Sequence, residues 1–320
     1  MTQPAWTPER EITLAEARQL VAAGFPDLAN AEVELFAQGW DNTAVRWRSS
    51  RLGELVFRFP RRAIALAGVR RELAWLPQLA PLLPIPIPHP TFAGSWSSEG
   101  SEAWPFWGAQ MLPGTELAVL IELSPQQRAD LAGQLGAFLR VLHDVQPGDF
   151  EIAGDAQLAV DPMDRGYPAK RAVRTKECLG RLRQSGVHAP FDDLAGLIDR
   201  AARLLAPPPP SVICHGDLHV RHVLVGGSAI TGVIDWGDLC LADPAVDLSI
   251  AFAAFSEDQR QAFFTAYGSI DPDRELRARA LAISLSALLT EYAMAQVSRD
   301  GSASPLLPEV SNGLSRALES

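Results

Sequence analysis

The chain has 320 residues, 47% of them apolar and 21% charged, with a formal net charge of −10. That supply of apolar side chains exceeds one usual core and excludes a disordered composition. The three cysteines, Cys178, Cys214 and Cys240, are too few and too scattered for a disulfide framework or a CxxC metal site, and the acidic balance argues against nucleic acid as a main partner.

The acidity serves solubility or, read more sharply, marks an acidic cleft that draws in a cationic substrate. No apolar run reaches the roughly 20 residues of a membrane span, and the N-terminus mixes charges where a signal peptide would carry an apolar stretch. A cytoplasmic, monomeric protein with no membrane partner is expected. Only two lysines, Lys170 and Lys176, stand beside 26 arginines, and none precedes residue 170.

Thr13 with Glu16 forms a capping box that predicts a helix over Leu14 to Ala23, with Gly24 at its stop. From Glu32 three short alternating runs, EVELFAQ, TAVRWR and ELVFRF, predict antiparallel strands, with Arg46, Trp47 and Arg48 on an exposed strand face. Helical spacing returns over Arg62 to Leu76, and the prolines from Pro77 to Pro90 then impose extended or turn backbone. Two more strands are expected near Thr91 to Ser95 and Phe106 to Leu112, joined by a Ser/Gly/Glu-rich surface loop.

Pro113-Gly114 closes this sheet, and the chain downstream reads as chiefly helical. The boundary between an N-terminal lobe, 1–112, and a C-terminal lobe, 113–320, is placed there. Ser124 starts a helix whose Leu131, Leu135, Phe138, Leu139 and Leu142 form one apolar stripe. Ser256 with Gln259 caps another, ending near Gly268, and a long apolar helix spans about Leu276 to Val297. The tail from Gly301 to Asn312 reads as loop.

The segment Ser211 to Ile250 carries the chemistry. Ser211 to His215 reads as a strand, and Val223 to Val225 pairs with Ile230 to Ile234 across Gly226-Gly227-Ser228. A hairpin returns its ends to one place, so the loop from His215 to His222 must lie beside Asp235. Two carboxylates, Asp217 and Asp235, and an imidazole then converge. Phosphoryl transfer from a nucleotide needs a divalent metal on the phosphate oxygens and a carboxylate that orients the attacking hydroxyl and takes its proton. Asp217 and Asp235 can divide those roles, and Mg²⁺ prefers carboxylate oxygen.

The run His215-Gly216-Asp217-Leu218-His219-Val220-Arg221-His222 resembles the catalytic loop of the aminoglycoside and macrolide phosphotransferases, enzymes of protein-kinase-like fold. In most of that family the loop ends in asparagine; His222 stands there here, as in macrolide phosphotransferases. The resemblance covers about residues 30 to 295. It implies an α+β, bilobal kinase-like fold, with a five-stranded antiparallel N-terminal lobe, a mostly helical C-terminal lobe, and nucleotide and Mg²⁺ in the cleft.

By that resemblance Asp217 is the catalytic base, Asp235 and His222 are metal ligands, and Asp247 buttresses the catalytic loop through backbone hydrogen bonds, with His215 in support. Arg58 occupies the strand position where many relatives carry a phosphate-binding lysine, and Glu72 on the next helix is its ion-pair partner. Gln110, Met111 and Leu112 form the hinge that meets the purine of ATP or GTP, and the Gly39-Trp40-Asp41-Asn42 turn covers the phosphates. Asp238, just past Asp235, is a substrate contact. Glu291 interrupts an apolar helix, so it meets an arginine or faces a cationic substrate. The acceptor is a hydroxyl of a small molecule, with an antibiotic of macrolide type first.

Other readings stand beside this one. His215, His219 and His222 could hold zinc, although no cysteine or HExxH pattern accompanies them. Arg58 and Glu72 could be an ordinary surface ion pair. The acceptor could be an aminoglycoside, or a small alcohol such as choline or homoserine, and the chain could be a catalytically silent nucleotide-binding module. No Walker-type GxxxxGK(S/T), GxGxxG or GxSxG run occurs, which removes P-loop, dinucleotide-binding and acyl-hydrolase readings.

Overall fold

The computed structural model describes residues 8–39, 41–97, 103–120, 122–152, 154–209, 211–300 and 304–319, the last three of the 211–300 stretch as backbone only. Trp40 of the expected phosphate-covering turn and most of the Ser/Gly/Glu-rich loop lie outside the described residues. The chain divides into two compact units: 1–82, 86–112 and 150–157 form the first, and 83–85, 113–149 and 158–320 form the second.

The first unit opens with α1 (Leu14–Gly24), held by the reciprocal Thr13 and Glu16 cap. The strands β1 (Glu32–Gln38), β2 (Asn42–Ser49), β3 (Gly53–Pro60), β4 (Phe92–Trp96) and β5 (Trp104–Gln110) build one antiparallel sheet in the order β1-β2-β3-β5-β4. The period of two along a strand explains its core: Val45 and Trp47 on β2, and Leu55, Phe57 and Phe59 on β3, are buried in one cluster with Ala17 and Val21 of α1. Trp47 is thus fully buried, contrary to the exposed face expected for it. Its neighbours Arg46 and Arg48 point the other way and share Glu34, because adjacent strand residues take opposite faces.

The helix α2 (Leu66–Leu79) packs Val69 and Leu73 against Trp107 and Ala109 of β5. It runs on through Pro77, where extended backbone was expected. Trp75, Leu76 and Leu79 are all buried, and that burial outweighs the one hydrogen bond a proline forgoes near a helix end.

The second unit contains β6 (Thr115–Glu116), α3 (Pro125–Asp144), α4 (Pro168–Gln184), α5 (Phe191–Ala201), β7 (Val212–Cys214), β8 (Val223–Gly226), β9 (Ala229–Val233), β10 (Cys240–Ala242), α6 (Ala245–Ala254), α7 (Glu257–Tyr267), α8 (Pro272–Asp300) and α9 (Leu307–Arg316). The capping box read at Ser256 with Gln259 is formed, and the helix start read at Ser124 carries one as well, with Gln127. The hairpin pairs Val223 with Val233 and Gly226 with Ala229, and Gly227 takes the left-handed φ of +63° at the turn. The small ladder of β7 and β10 sets Cys214 opposite Cys240.

The stretch Pro272–Val297 of α8 is long and apolar enough, by length and composition, to cross a membrane, and half of its most apolar window is buried inside the protein. It contacts α4, α5, α6 and α9. Charged residues interrupt the stretch, and they meet partners inside the fold: Arg277 donates to the Gly166 and Leu205 carbonyls, and Glu291 pairs with Arg181 of α4.

The helix α9 corrects the loop expected for the tail. Pro308 falls in its first turn, where a proline is tolerated. Leu306, Val310, Leu314 and Ala317 share one buried face, and Gly313 lies where an added Cβ would press on Ser286 of α8 and on the Ala253 carbonyl of α6. Glu309 of α9 is fixed by Arg128 of α3, Oε2 to Nη2 at 2.8 Å and Oε1 to Nη1 at 3.0 Å, and by Arg316 at 2.6 Å. Arg128 and Glu309 are both buried. Removing one partner of a buried pair strands the other charge at a cost of about 3–5 kcal/mol, so Glu309→Ala should lower the melting temperature by on the order of 10 °C in a thermal melt.

Candidate active site

The catalytic-loop residues occupy the segment between β7 and β8, and the hairpin brings Asp235, just after β9, back beside them. Ile234 N–H donates to the His222 carbonyl at 2.9 Å, which locks the outgoing strand to the end of the loop. Asp235 itself takes a left-handed φ of +67°. A non-glycine residue pays for that conformation, and the result is a carboxylate turned back toward the loop.

His222 joins the two aspartates. Its Nδ1 lies 2.8 Å from the Asp217 carbonyl, and its Nε2 lies 3.4 Å from Asp235 Oδ2. A carbonyl only accepts, so Nδ1 carries the proton and donates. Nε2 is then the ring atom that faces the Asp235 carboxylate, and with its lone pair free the two atoms can ligate one cation together. Ligands about 2.1 Å from one ion in octahedral geometry stand roughly 3 Å apart, close to the separation here. The pair fits a divalent cation. Asp235 offers the oxygen that Mg²⁺ prefers, and His222 adds a nitrogen where an asparagine would add a second oxygen.

The other histidines are committed elsewhere. His215 donates from Nε2 to the Ile234 carbonyl at 2.9 Å and accepts the Asp217 N–H at Nδ1; burial pulls its pKa down to about 4, so it stays neutral. His219 accepts the Arg221 N–H at Nδ1 and stacks on His222 with ring centroids 3.7 Å apart. Burial, then the charge of His222, hold it well below the usual imidazole range.

Two groups among the described residues gather three possible ligand atoms within 4.8 Å: Asp217, His219 and His222, and, deeper, His143, Cys214 and Asp247. In the first, His219 turns its N–H, not a lone pair, toward Asp217 Oδ2 at 3.9 Å. In the second, Asp247 already holds the loop N–H groups and meets His143, and burial pushes the Cys214 thiol well above its ordinary value.

Asp247, at the start of α6, accepts the N–H groups of His215 at 2.7 Å and Gly216 at 3.0 Å, and its Oδ2 lies 3.3 Å from His143 Nε2. His143 in turn meets the Tyr267 hydroxyl through Nδ1 at 2.9 Å. Gly216 is required in this loop: its φ is +88°, and a Cβ would run into the Asp238 carbonyl. Burial alone would raise the Asp247 carboxyl, but His143 and the backbone donors outweigh it and hold the group below its ordinary value.

A carboxylate with a depressed folded pKa lends stability that is present above its unfolded pKa and lost as pH falls through the folded one. The support from Asp247 is therefore complete at neutral pH and fails only in acid. Asp247→Asn keeps the shape and loses one charged acceptor, at about 2 kcal/mol. A melt near neutral pH should show a drop of roughly 5 °C, and the gap to the parent protein should narrow toward pH 3.

Asp217 meets Arg165, Oδ1 to Nη2 at 2.9 Å, and Arg165 Nη1 also binds Asp238 Oδ2 at 2.7 Å and the Gly216 carbonyl. Sequence reasoning missed Arg165, because one arginine among 26 in an irregular segment carries no local signal. His143 was missed too, hidden in a helical stripe read only as core. Burial pushes the Asp217 carboxyl up to about 6, with Arg165 and then His222 pulling it back. Glu291 is answered by an arginine, Arg181 Nε at 2.6 Å and Nη2 at 3.0 Å, rather than by open space for a substrate cation.

In the first unit Arg58 Nη1 binds Glu72 Oε1 at 2.8 Å, and Trp107 Nε1 donates to Glu72 Oε2 at 2.9 Å. Glu72 is 1% exposed and Arg58 13%, so this is a buried, oriented pair and not the surface pair weighed against it. The Gly39 to Asn42 turn is tied by Gly39 N–H to the Asn42 carbonyl, by Arg61 to the Gly39 carbonyl and by Arg62 to Asp41. Gln110 ends β5 opposite Leu55. Met111 spends its N–H on the Glu54 carbonyl at 2.9 Å.

An antiparallel five-stranded unit and a helical unit carrying this loop and hairpin define a phosphotransferase of kinase-like fold. Residues 32–280 match the model of the phosphotransferase enzyme family APH, and the chain belongs to that family. It is 25% identical over 216 residues to an aminoglycoside 3'-phosphotransferase of Escherichia coli, covering 64% of this chain and 71% of the relative. It is 27% identical over 213 residues to another from Streptomyces fradiae, covering 64% and 70%. Among solved structures it resembles an aminoglycoside 2'-phosphotransferase-IIIa mutant in complex with GDP, with a TM-score of 0.66, 21% identity, and 94% and 95% of the two chains covered. It likewise resembles a macrolide 2'-phosphotransferase from Brachybacterium faecium, with a TM-score of 0.58, 23% identity, and 94% and 98% covered.

Proposed function

We propose that the protein transfers the γ-phosphoryl group of ATP or GTP, with Mg²⁺, to a hydroxyl of a small molecule, in first place an antibiotic of macrolide type. The observation that carries this reading is His222, which bridges the Asp217 backbone and the Asp235 carboxylate and leaves a donor pair spaced for a divalent cation.

Asp217 orients the acceptor hydroxyl and accepts its proton through Oδ2, since Arg165 occupies Oδ1. Asp235 and His222 hold the metal, which when bound neutralises phosphate oxygens. Arg58, aligned by Glu72, presents a guanidinium able to bind phosphate bidentately, and it takes the place of a lysine in a stretch that has none. The Met111 carbonyl and Leu112 backbone face the purine edge, and Asn42 begins the strand after the phosphate-covering turn. Asp247 and His215 support the loop, and Asp238 borders the acceptor.

An aminoglycoside acceptor is the second reading, favoured by the names of the curated relatives. An acceptor screen tests both. Nucleotide consumption is scored with macrolides, aminoglycosides and small alcohols, each with ATP and with GTP. The proposal expects acceptor-dependent turnover with at least one of these; none with any would defeat it.

A further inference from the structure

Asp238 stands 21 residues after Asp217 in the sequence, yet both carboxylates are bound by one guanidinium. Arg165 reaches them from the segment before α4, and its side chain is 11% exposed. Its backbone N–H is fixed by Asp161 Oδ1 at 2.7 Å, and Asp161 Oδ2 takes the next N–H, of Gly166, at 2.8 Å. The arm that delivers the guanidinium is therefore anchored at its root. Arg171 lies behind it in the same small cavity, lined also by Pro168, Ala172 and Ile198, and burial together with the charge of Arg165 holds the Arg171 guanidinium below its ordinary value.

The two carboxylates nearest the attacking hydroxyl therefore meet positive charge from the chain itself. Other acidic groups of this unit are likewise paired: Glu291 with Arg181, Asp243 with Arg274, and Glu116 with Arg221. A polyamine acceptor gains affinity by giving each ammonium its own carboxylate, and a fixed guanidinium on those carboxylates opposes it at short range. An acceptor with a single amine, or none, does not meet that opposition.

We propose that Arg165 is a specificity-determining residue: by bridging Asp217 and Asp238 it sets the acceptor of this site as a hydroxyl compound of low positive charge and disfavours polyamines. This deepens the proposed function and rests on its placing of the acceptor at Asp217.

The test compares the full-length protein with Arg165→Met and Arg165→Lys, measuring the Kd of a macrolide with one amine and of a polyamine aminoglycoside by calorimetry, together with acceptor-dependent nucleotide consumption. The parent protein should bind the macrolide more tightly. Arg165→Met should tighten the polyamine by about tenfold or more relative to the macrolide, and in turnover the gain should enter through KM for the polyamine. Arg165→Lys keeps the charge but not the planar fork that spans both carboxylates, so its ratio should fall between those of the parent and the methionine variant. Should Arg165→Met not fold, Asp238→Asn gives the opposite sign: less compensation of Arg165 should weaken the polyamine by about threefold or more.

Equal changes in both affinities, a lysine variant that behaves like the methionine one, or a parent protein that prefers the polyamine would each overturn the inference. A parent protein that turns over no acceptor defeats the proposed function alone, because the ratio of dissociation constants still decides the role of Arg165.

Discussion

Asp217→Ala will lower kcat by about a thousandfold or more while nucleotide affinity stays within about threefold of the parent protein. The asymmetry follows from geometry. The Asp217 carboxylate meets Arg165 and His219, neither of which is proposed to touch the nucleotide, and the bond between its carbonyl and His222 is a backbone contact that the substitution keeps. Loss of the carboxylate removes the group proposed to orient the acceptor hydroxyl and take its proton, an interaction that strengthens only as the hydroxyl attacks. Steady-state kinetics and a nucleotide titration check both halves. A variant with near-normal kcat would remove Asp217 from the mechanism.

The same residue sets an acid limb. In the proposed mechanism Asp217 works as the ionised base, and burial raises its carboxyl to about 6. Protonation below that value disables it, so kcat/KM should fall by about tenfold per pH unit on the acid side. A divalent cation at Asp235 favours the ionised form, so the limb moves lower when metal is bound, and about 6 is its upper bound. Asp217→Asn should abolish the limb together with the activity.

Asp235→Ala should cost about a thousandfold or more in kcat, but with a different signature. Here the loss should pass through the metal: the Mg²⁺ concentration needed for half-maximal rate should rise by at least about tenfold, and nucleotide bound as its metal complex should bind more weakly. The 3.4 Å approach of His222 Nε2 to Asp235 Oδ2 motivates this, since removal of either group leaves a single donor. His222→Asn should keep more activity than His222→Ala, because the amide oxygen restores a ligand and the alanine does not. A metal titration that leaves the half-maximal Mg²⁺ concentration of Asp235→Ala unchanged would place the metal elsewhere.

Much of this was legible in the sequence because it is local. A capping box needs only Thr13 and Glu16, or Ser256 and Gln259, three residues apart. The hairpin needs only apolar runs around Gly226-Gly227-Ser228, and once it closes, the meeting of His222 with Asp235 is a matter of covalent geometry. The hold of Asp247 on the loop N–H groups bridges 31 and 32 residues, and it was legible only through the resemblance of the loop to a known family.

Where the reading failed, local signals met long-range packing. Pro77 looked like a stop, and Pro308 and Asn312 looked like loop; each sits in a helix because the burial of Leu76 and Leu79, or of Val310 and Leu314, is worth more than the local preference. Trp47 between two arginines looked exposed until the pleat separated them onto opposite faces.

By itself the sequence determined the five-stranded and helical parts, the loop that carries Asp217 and its return to Asp235, because hydrogen bonding and side-chain periodicity act over a few residues. Only the tertiary structure decided which charges neutralise which: Arg165 on Asp217 and Asp238, Arg181 on Glu291, Arg128 on Glu309. Those partners lie 52, 73, 110 and 181 residues apart in the chain, and with 26 arginines available, composition cannot choose among them. Burial chooses, because a guanidinium removed from water must sit where carboxylates are already fixed.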